Sequence, residues 1–119
     1  MFTAIRRVFS PLPKNFENIE VQNDDFKCSF STHRYLQVSY KVGFVVQDQE
    51  KLKKMTPFTG KSLQMLLTLL VENMIRRAVF PQNQCEPEPL TEDKKDWVWN
   101  GLQPVLILWG LGITDFEIN

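Results

Sequence analysis

The sequence is poor in the residues from which many enzyme and cofactor sites are built. Its 119 residues include one histidine, two cysteines and five glycines. One histidine and two distant cysteines are too few for a zinc site, and the glycines lack the spacing of a phosphate-binding loop. Two cysteines also cannot form the disulfide framework of a small secreted domain. We therefore expect no metal, no cofactor and no enzymatic activity.

The chain also lacks a hydrophobic run that could cross a bilayer. Its most apolar stretch, Leu63 to Val71, is about half the roughly 20 residues that a spanning helix requires. The first nine residues contain no long apolar region of the signal-peptide kind, and Pro11 and Pro13 follow at once. We therefore expect no signal peptide and no transmembrane span, and a location in the cytoplasm or nucleus.

A nucleophilic site would require Cys28 and His33 to meet around an expected hairpin. Cys28, however, alternates with Phe26 and Phe30, which predicts that it points into the core. A thiol buried among apolar side chains has a raised pKa and is unreactive. Cys85 lies in a polar loop. We expect both cysteines to be reduced thiols without a catalytic role; a Cys28–Cys85 disulfide is the alternative.

No excess of one charge sign is present, because 14 basic residues balance 14 acidic ones. The charges are nevertheless segregated along the chain. Segments 1–14, 15–50, 51–80 and 81–119 carry net charges of +3, −3, +5 and −5. Such blocks either give the folded protein separate basic and acidic faces, or interleave and neutralise one another.

The length fits one domain, and 43% hydrophobic with 24% charged residues is typical of a folded protein. We divide the chain into an N-terminal arm, residues 1–16, and a single α+β domain, residues 17–119. In the arm, Phe2, Ile5 and Phe9 share one helical face beside Arg6 and Arg7. That segment could contact an anionic membrane, a partner or its own domain.

Period-two alternation predicts an antiparallel sheet in the first half of the domain. Its longest segment has apolar residues at every even position of 36–46, and Ile19 with Val21 and Phe26 with Cys28 alternate in the same way. Asn23-Asp24-Asp25 is typical of a turn between two short strands. A second turn is expected at residues 31–34.

The residues after the sheet predict a charged connection at 48–55 and one long helix at about 59–80. Thr56-Pro57 or Thr59 would begin this helix, and Pro81 would end it. Its polar stripe is narrow, which predicts burial on several sides. Thr91 then begins a short helix at about 92–100, broken by residues 101–104. Short C-terminal strands are expected at 105–109 and 113–118.

Three groups of residues are candidate contact sites. The first two are predicted to contact a partner or membrane: the arm residues Phe2, Ile5, Arg6, Arg7 and Phe9, and the pair Trp97 and Trp99. Tryptophan is frequent in the energetic centres of protein interfaces. The third group is a basic patch of Lys51, Lys53, Lys54 and Lys61. It would bind an anionic surface, although a solvated lysine loop is the simpler interpretation.

The order of these features resembles a known family. A basic, apolar N-terminal segment leads through prolines into long strands, a Pro57-Phe58 step opens a helix, and an apolar run from Gln103 to Gly110 follows the tryptophans. Over residues 25–112 this order resembles the first half of animal rhabdovirus matrix proteins, or the small accessory proteins of some rhabdoviruses. The chain is shorter than those matrix proteins, lacks their PPxY motif and has only three basic residues in its arm.

The resemblance implies a non-enzymatic viral protein that acts in a host cell through membrane, nucleocapsid or protein contacts. The short chain fits an accessory role better than a matrix role. Our leading hypothesis is a small viral accessory protein that binds host or viral proteins. The alternative is a matrix-like structural protein on anionic membrane or nucleocapsid RNA. Self-association stays open, and nucleic acid is not favoured because no recognised binding motif is present.

Overall fold

The computed structural model describes residues 8–14, 17–29 and 34–119. Within them the protein is an α+β fold of one three-stranded antiparallel sheet and three α-helices. The strands are β1 (Asn18–Ser29), β2 (Tyr35–Val46) and β3 (Leu111–Ile118), in the spatial order β1-β2-β3. The helices are α1 (Gln49–Met55), α2 (Gly60–Val79) and α3 (Glu92–Trp109).

One face of the sheet is apolar, and the other is polar except at Val45, which is fully buried. The central strand β2 places Val38, Tyr40, Val42, Phe44 and Val46 in the core, which confirms the predicted alternation at those positions. On the opposite face, the Lys41 ammonium lies 3.8 Å from a Glu20 oxygen and 3.7 Å from an Asp115 oxygen. The two exposed ion pairs therefore join all three strands, while the apolar face receives the helices.

The predicted turn at Asn23-Asp24-Asp25 is wrong, because β1 continues through it as one strand. Between Asn23 and Phe26 the strand contains one residue more than its partner β2. This β-bulge changes the phase of the alternation, so Val21 before it and Cys28 after it both point into the core. A turn would have separated two short strands, whereas the bulge keeps one long strand paired.

Strand β3 uses the same device. It gains one residue opposite Gly43 and Phe44, so Ile113 before the bulge and Phe116 after it share the apolar face. Gly43 leaves room for this extra residue, since a Cβ there would lie 2.8 Å from Oγ1 of Thr114. Each outer strand therefore contains one inserted residue. The insertion keeps the apolar side chains on both sides of the bulge on the same face as those of β2.

The expected charged connection at residues 48–55 is the helix α1. The Asp48 carboxylate accepts a hydrogen bond from the Lys51 amide at 3.0 Å, which caps the first turn. Leu52 is the buried residue of this helix. The Asp48 cap and the buried Leu52 stabilise this helix of two turns. Its many charged residues are the reason that the sequence did not indicate a helix.

Helix α2 begins at Gly60 and ends at Val79, close to the predicted bounds of 59–80. Of the two predicted starts, Thr59 is the N-cap, and the Ser62 hydroxyl accepts from its amide. Burial on several sides is not confirmed. Met65 and Leu69 are exposed, since α2 packs against β1 and α3 and its outward side is uncovered among the described residues.

The short helix predicted at about 92–100 is α3, which is twice as long as predicted. The strand expected at 105–109 is the last part of this helix. Helix α3 passes through Gly101 and Pro104 and ends at Trp109. Val98, Leu102 and Leu106 are buried at four-residue spacing, and this continuous apolar stripe outweighs the hydrogen bond that proline cannot donate. The C-terminal region thus contributes one strand, β3, to the sheet and not several.

The described part of the predicted arm contacts the domain. The Ser10 amide donates to the Ile113 carbonyl at 2.8 Å, and the Phe9 ring packs edge-on against Trp99. The division into an arm, 1–16, and a domain, 17–119, stays a prediction, because residues 1–7 and 15–16 lie outside the described part of the chain.

Gly110 offers a direct test of this architecture, since it joins α3 to β3 at a left-handed φ of 72°. A Cβ there would lie 2.6 Å from the carbonyl oxygen of Asp48. We expect Gly110→Ala to lower the free energy of unfolding by at least about 2 kcal/mol, because alanine is strained at this φ and meets fixed backbone. Denaturant unfolding measures the loss.

Gly101→Ala in the same helix is the matched control. A Cβ there meets only the flexible end of Met74, and alanine favours a helix interior over glycine by about 1 kcal/mol. We expect its free energy of unfolding to change by less than about 1 kcal/mol. Equal losses from the two substitutions would contradict the position given to Gly110.

Candidate functional site

Helices α2 and α3 lie antiparallel, and this arrangement gives the molecule two chemically different ends. Met74 packs against Gly101, and the Lys94 ammonium bonds to the Ala78 carbonyl at 2.7 Å. The end of α2 therefore meets the start of α3; we call this region, with residues 80–91 between them, the loop end. The Gly110 carbonyl, just after α3, bonds to the amides before α1, and α1 leads into the start of α2, about 30 Å from the loop end given the 20 residues of α2.

The loop end contains an open groove of about 540 Å³. Trp97 lines one side with 44% of its surface exposed, and the Arg77 guanidinium lies over its ring at 5.7 Å from the centroid. The lining residues are Arg77, Ala78, Phe80, Pro81, Gln82, Asp93, Lys94 and Trp97. The structure thus places Trp97, one of the predicted contact residues, at a concave and accessible position.

Lys94 fixes the shape of this groove. Its ammonium bonds to the Ala78 carbonyl at the end of α2 and forms a 2.9 Å ion pair with Glu88. Hydrogen bonds from Gln84 and Lys94 lower the pKa of the Glu88 carboxyl. The Glu88 amide in turn donates to the Val79 carbonyl at 2.8 Å. The loop is therefore held against both helices, and the groove is preformed.

Trp99 occupies a different environment from Trp97. Its ring lies edge-on between Phe9, 5.6 Å away, and Phe116, 5.2 Å away. The side chain is half-buried and packs against the core. The two tryptophans therefore do not form one surface. A partner contact by Trp99 stays a prediction, and its ring stacking already gives it a role in the fold.

The arm contributes little that can be placed. Phe2, Ile5, Arg6 and Arg7 lie outside the described residues. Phe9 is described and remains 44% exposed beside Trp99. The predicted contact role of these five residues stays a prediction.

The basic patch lies at the end of the molecule opposite the groove, which we call the basic end. Lys51, Lys53 and Lys54 are on α1, and Lys61 is in the first turn of α2. All four are exposed, and within the described part of the chain none has an acidic partner within ion-pair distance. Gly110 connects the end of α3 to the segment just before α1, since its carbonyl accepts hydrogen bonds from the amides of Gln47 and Asp48.

Two features of these ends were missed in the sequence. Arg77 covers Trp97, and the sequence alone does not show that the end of α2 meets the start of α3. Met55 and Phe58 were not chosen as contact residues, yet both are exposed among the lysines. Their position between Lys54 and Lys61 in the sequence was the available signal.

Two other side chains that could take part in chemistry, those of Cys28 and Tyr40, are buried in the core. Cys28 is fully buried, and burial raises the pKa of its thiol to about 11. The buried Tyr40 hydroxyl donates to a Glu72 oxygen at 2.6 Å; burial first, and then this carboxylate, raise the pKa of Tyr40. Over residues 8–14, 17–29 and 34–119, no three potential metal-ligating side chains cluster. The nucleophilic alternative also needs His33, which falls outside those ranges.

No helix in the described part of the protein is both long enough and apolar enough to cross a membrane. The cellular location stays a prediction.

No family model matches the chain, and no curated protein is similar to it. The resemblance to rhabdovirus matrix and accessory proteins therefore remains an expectation from the order of sequence features.

Thiol labelling tests the assignment of the two free cysteines. Cys85 is exposed and Cys28 is buried, with its thiol protonated at neutral pH because its pKa is raised to about 11. We expect a disulfide reagent to label Cys85 quickly in the native protein, and the Cys85→Ser variant to react at least about tenfold more slowly. Denaturant should restore rapid labelling of Cys28 in that variant. Rapid labelling of native Cys85→Ser would place Cys28 at the surface.

Proposed function

We propose that this protein is a non-enzymatic interaction protein that binds other proteins through the groove at its loop end. The observation that carries the proposal is Trp97, a half-exposed indole beside a preformed groove and covered on one side by Arg77. Tryptophan and arginine dominate the energetic centres of protein interfaces. An exposed pair of these residues in a concavity is therefore best explained as a contact site.

The groove favours a particular kind of partner segment. Pro81 and the Trp97 ring offer an apolar surface for an aliphatic or aromatic side chain, which supplies most of the binding energy in such pockets. The exposed Arg77 guanidinium is free of acidic partners among the described residues and can form a paired hydrogen bond with a carboxylate. The proposed ligand is a protein segment with an apolar residue next to an acidic one.

We further propose that the chain is a small viral accessory protein acting on host or viral proteins. This rests on the resemblance of sequence order and on the Trp97 groove as a binding site. A second candidate function is association of the basic end with an anionic surface, either membrane or nucleocapsid RNA, as in a matrix-like protein. The four lysines without acidic partners favour it.

Peptide selection tests the role of the groove. Short random peptides displayed on phage are selected on the full chain, and enriched peptides are measured against wild type and Trp97→Ala. We expect enriched peptides to pair an apolar with an acidic residue and to lose at least about tenfold in affinity on Trp97→Ala, since an interface tryptophan contributes about 2 kcal/mol or more.

Leu69→Ala is the control, because Leu69 is also exposed and apolar but lies on α2 outside the groove lining. Its affinities should equal those of wild type. Peptides that bind Trp97→Ala as tightly as wild type, or that weaken equally on Leu69→Ala, would show that the groove is not the binding site. An absence of any enriched peptide would also contradict the proposal.

A further inference from the structure

We infer that the basic end is a docking surface for anionic lipid, in which Met55 and Phe58 enter the interfacial layer while the surrounding lysines meet the headgroups. This rests on the second candidate function and deepens it, because it selects lipid over RNA and assigns a role to apolar side chains. It is independent of the Trp97 groove, which lies at the other end of α2.

The four lysines supply positive charge that no ion pair neutralises among the described residues. Leu52 points into the core, so Lys51, Lys53 and Lys54 spread over the outward half of α1. Lys53 lines the same small hollow as Phe58 and Gly60, which places it beside Lys61 at the start of α2. A lysine close to an anionic membrane contributes about 1 kcal/mol of attraction.

The acids at this end form no ion pair with the lysines. Asp48 is turned onto the backbone, where its carboxylate caps α1. Glu50 and Glu17 are exposed, and neither lies within ion-pair distance of a lysine. The loop end shows the opposite situation, since Glu86 pairs with Arg34 and Glu88 with Lys94. The four lysines of the basic end are therefore a cluster of cations outside any ion pair, whereas two acids of the loop end are paired.

The same end exposes an unusual share of apolar surface. Met55 is 42% and Phe58 44% exposed, directly between Lys54 and Lys61 in the chain. Ile107 and Leu108, half or more exposed, belong to the last turn of α3, which Gly110 holds against α1. Apolar side chains surrounded by lysines are the composition of interfacial membrane-binding surfaces, because long lysine side chains keep their charge at the headgroups while apolar groups enter below.

Other occupants fit this composition less well. RNA would use the lysines, but Met55, Ile107 and Leu108 offer no ring for base stacking, and Phe58 alone is aromatic. A second copy placed symmetrically would bring like-charged lysines together. Lysine is also depleted from protein interfaces, where burying its charge is costly. A lipid surface uses both the charge and the apolar groups without burying the ammonium.

Vesicle flotation with the full chain tests the inference. The probes are vesicles of phosphatidylcholine alone and of phosphatidylcholine with phosphatidylserine. We expect binding only to the mixed vesicles, a fall in binding as salt is raised, and a loss of at least about tenfold on the double reversal Lys53→Glu with Lys54→Glu. The control, Lys27→Glu, reverses one exposed lysine at the far end of β1 and should weaken binding much less than either single reversal, Lys53→Glu or Lys54→Glu.

The apolar part of the inference has its own variants. Phe58→Ser and Met55→Ser should each reduce partitioning severalfold at unchanged net charge, because they remove apolar area from the interface. Leu69→Ser, at an exposed apolar position away from the lysines, should not. Thermal unfolding of every variant confirms that it is folded.

Each remaining outcome contradicts a defined part of the proposal. Loss on lysine reversal without any effect of Phe58→Ser and Met55→Ser overturns insertion but leaves the second candidate function standing. No binding to mixed vesicles at low salt overturns the lipid inference and leaves only the RNA form of the second candidate function. Binding of a single-stranded polynucleotide that is tighter than vesicle binding and lost on the same lysine reversal assigns the surface to RNA. Salt-sensitive self-association lost on that reversal assigns it to a second copy. Peptide binding at Trp97 is unaffected by any of these results.

Discussion

The joint at Gly110 is the constraint on which the rest of the structure depends. At this residue α3 ends, β3 begins, and the chain just before α1 is held by two hydrogen bonds to the Gly110 carbonyl. The close approach to the Asp48 backbone and the positive φ are both conditions that glycine meets without strain. Because this joint brings α1 to the end of α3, it also assembles the lysines and exposed apolar side chains into one surface.

Because α2 and α3 are antiparallel, charges that are segregated along the sequence are also partly segregated in space. The lysines of segment 51–80 lie at the basic end, whereas Arg76 and Arg77 of the same segment lie at the loop end. There, acidic residues of segment 81–119 are paired with cations, as Glu88 is with Lys94. Zero net charge thus describes a molecule whose loop end contains two ion pairs and whose basic end contains four lysines outside any ion pair among the described residues. Such a distribution suits two different binding partners, one at each end.

The sequence predicts those elements whose pattern is regular and local. The alternation in β2 and the cap and proline around α2 locate both elements closely, because side-chain period and capping chemistry act over a few residues. The bulges in β1 and β3 cannot be recognised in this way, since each inserts one residue and reverses the phase of the apolar alternation. In β1 this break in the alternation, at Asn23–Asp25, resembles a turn. Pro104 misleads for a related reason: local propensity ends α3, whereas packing of Leu102 and Leu106 continues it.

The candidate sites, like the fold, were predictable where local sequence decides and not where tertiary packing decides. Trp97 could be chosen from the sequence as a candidate contact residue because its residue type is informative alone, whereas its pairing with Arg77 depends on a helix packing that no local pattern encodes. The lysines were visible as a cluster, but whether acids neutralise them depends on long-range contacts such as Lys41 with Asp115 elsewhere in the fold. Sequence therefore identifies the groups, and the tertiary structure decides which of them remain free.

The difference between the two ends is the central claim, and amine footprinting tests it most directly. The native chain is treated briefly with an amine-reactive reagent, and modification at each lysine is measured by mass spectrometry. We predict rapid modification of Lys51, Lys53, Lys54 and Lys61, and slow modification of Lys94, whose side chain is 22% exposed and bonded to Ala78 and Glu88. Modification of Lys94 as fast as that of the four lysines would contradict the account.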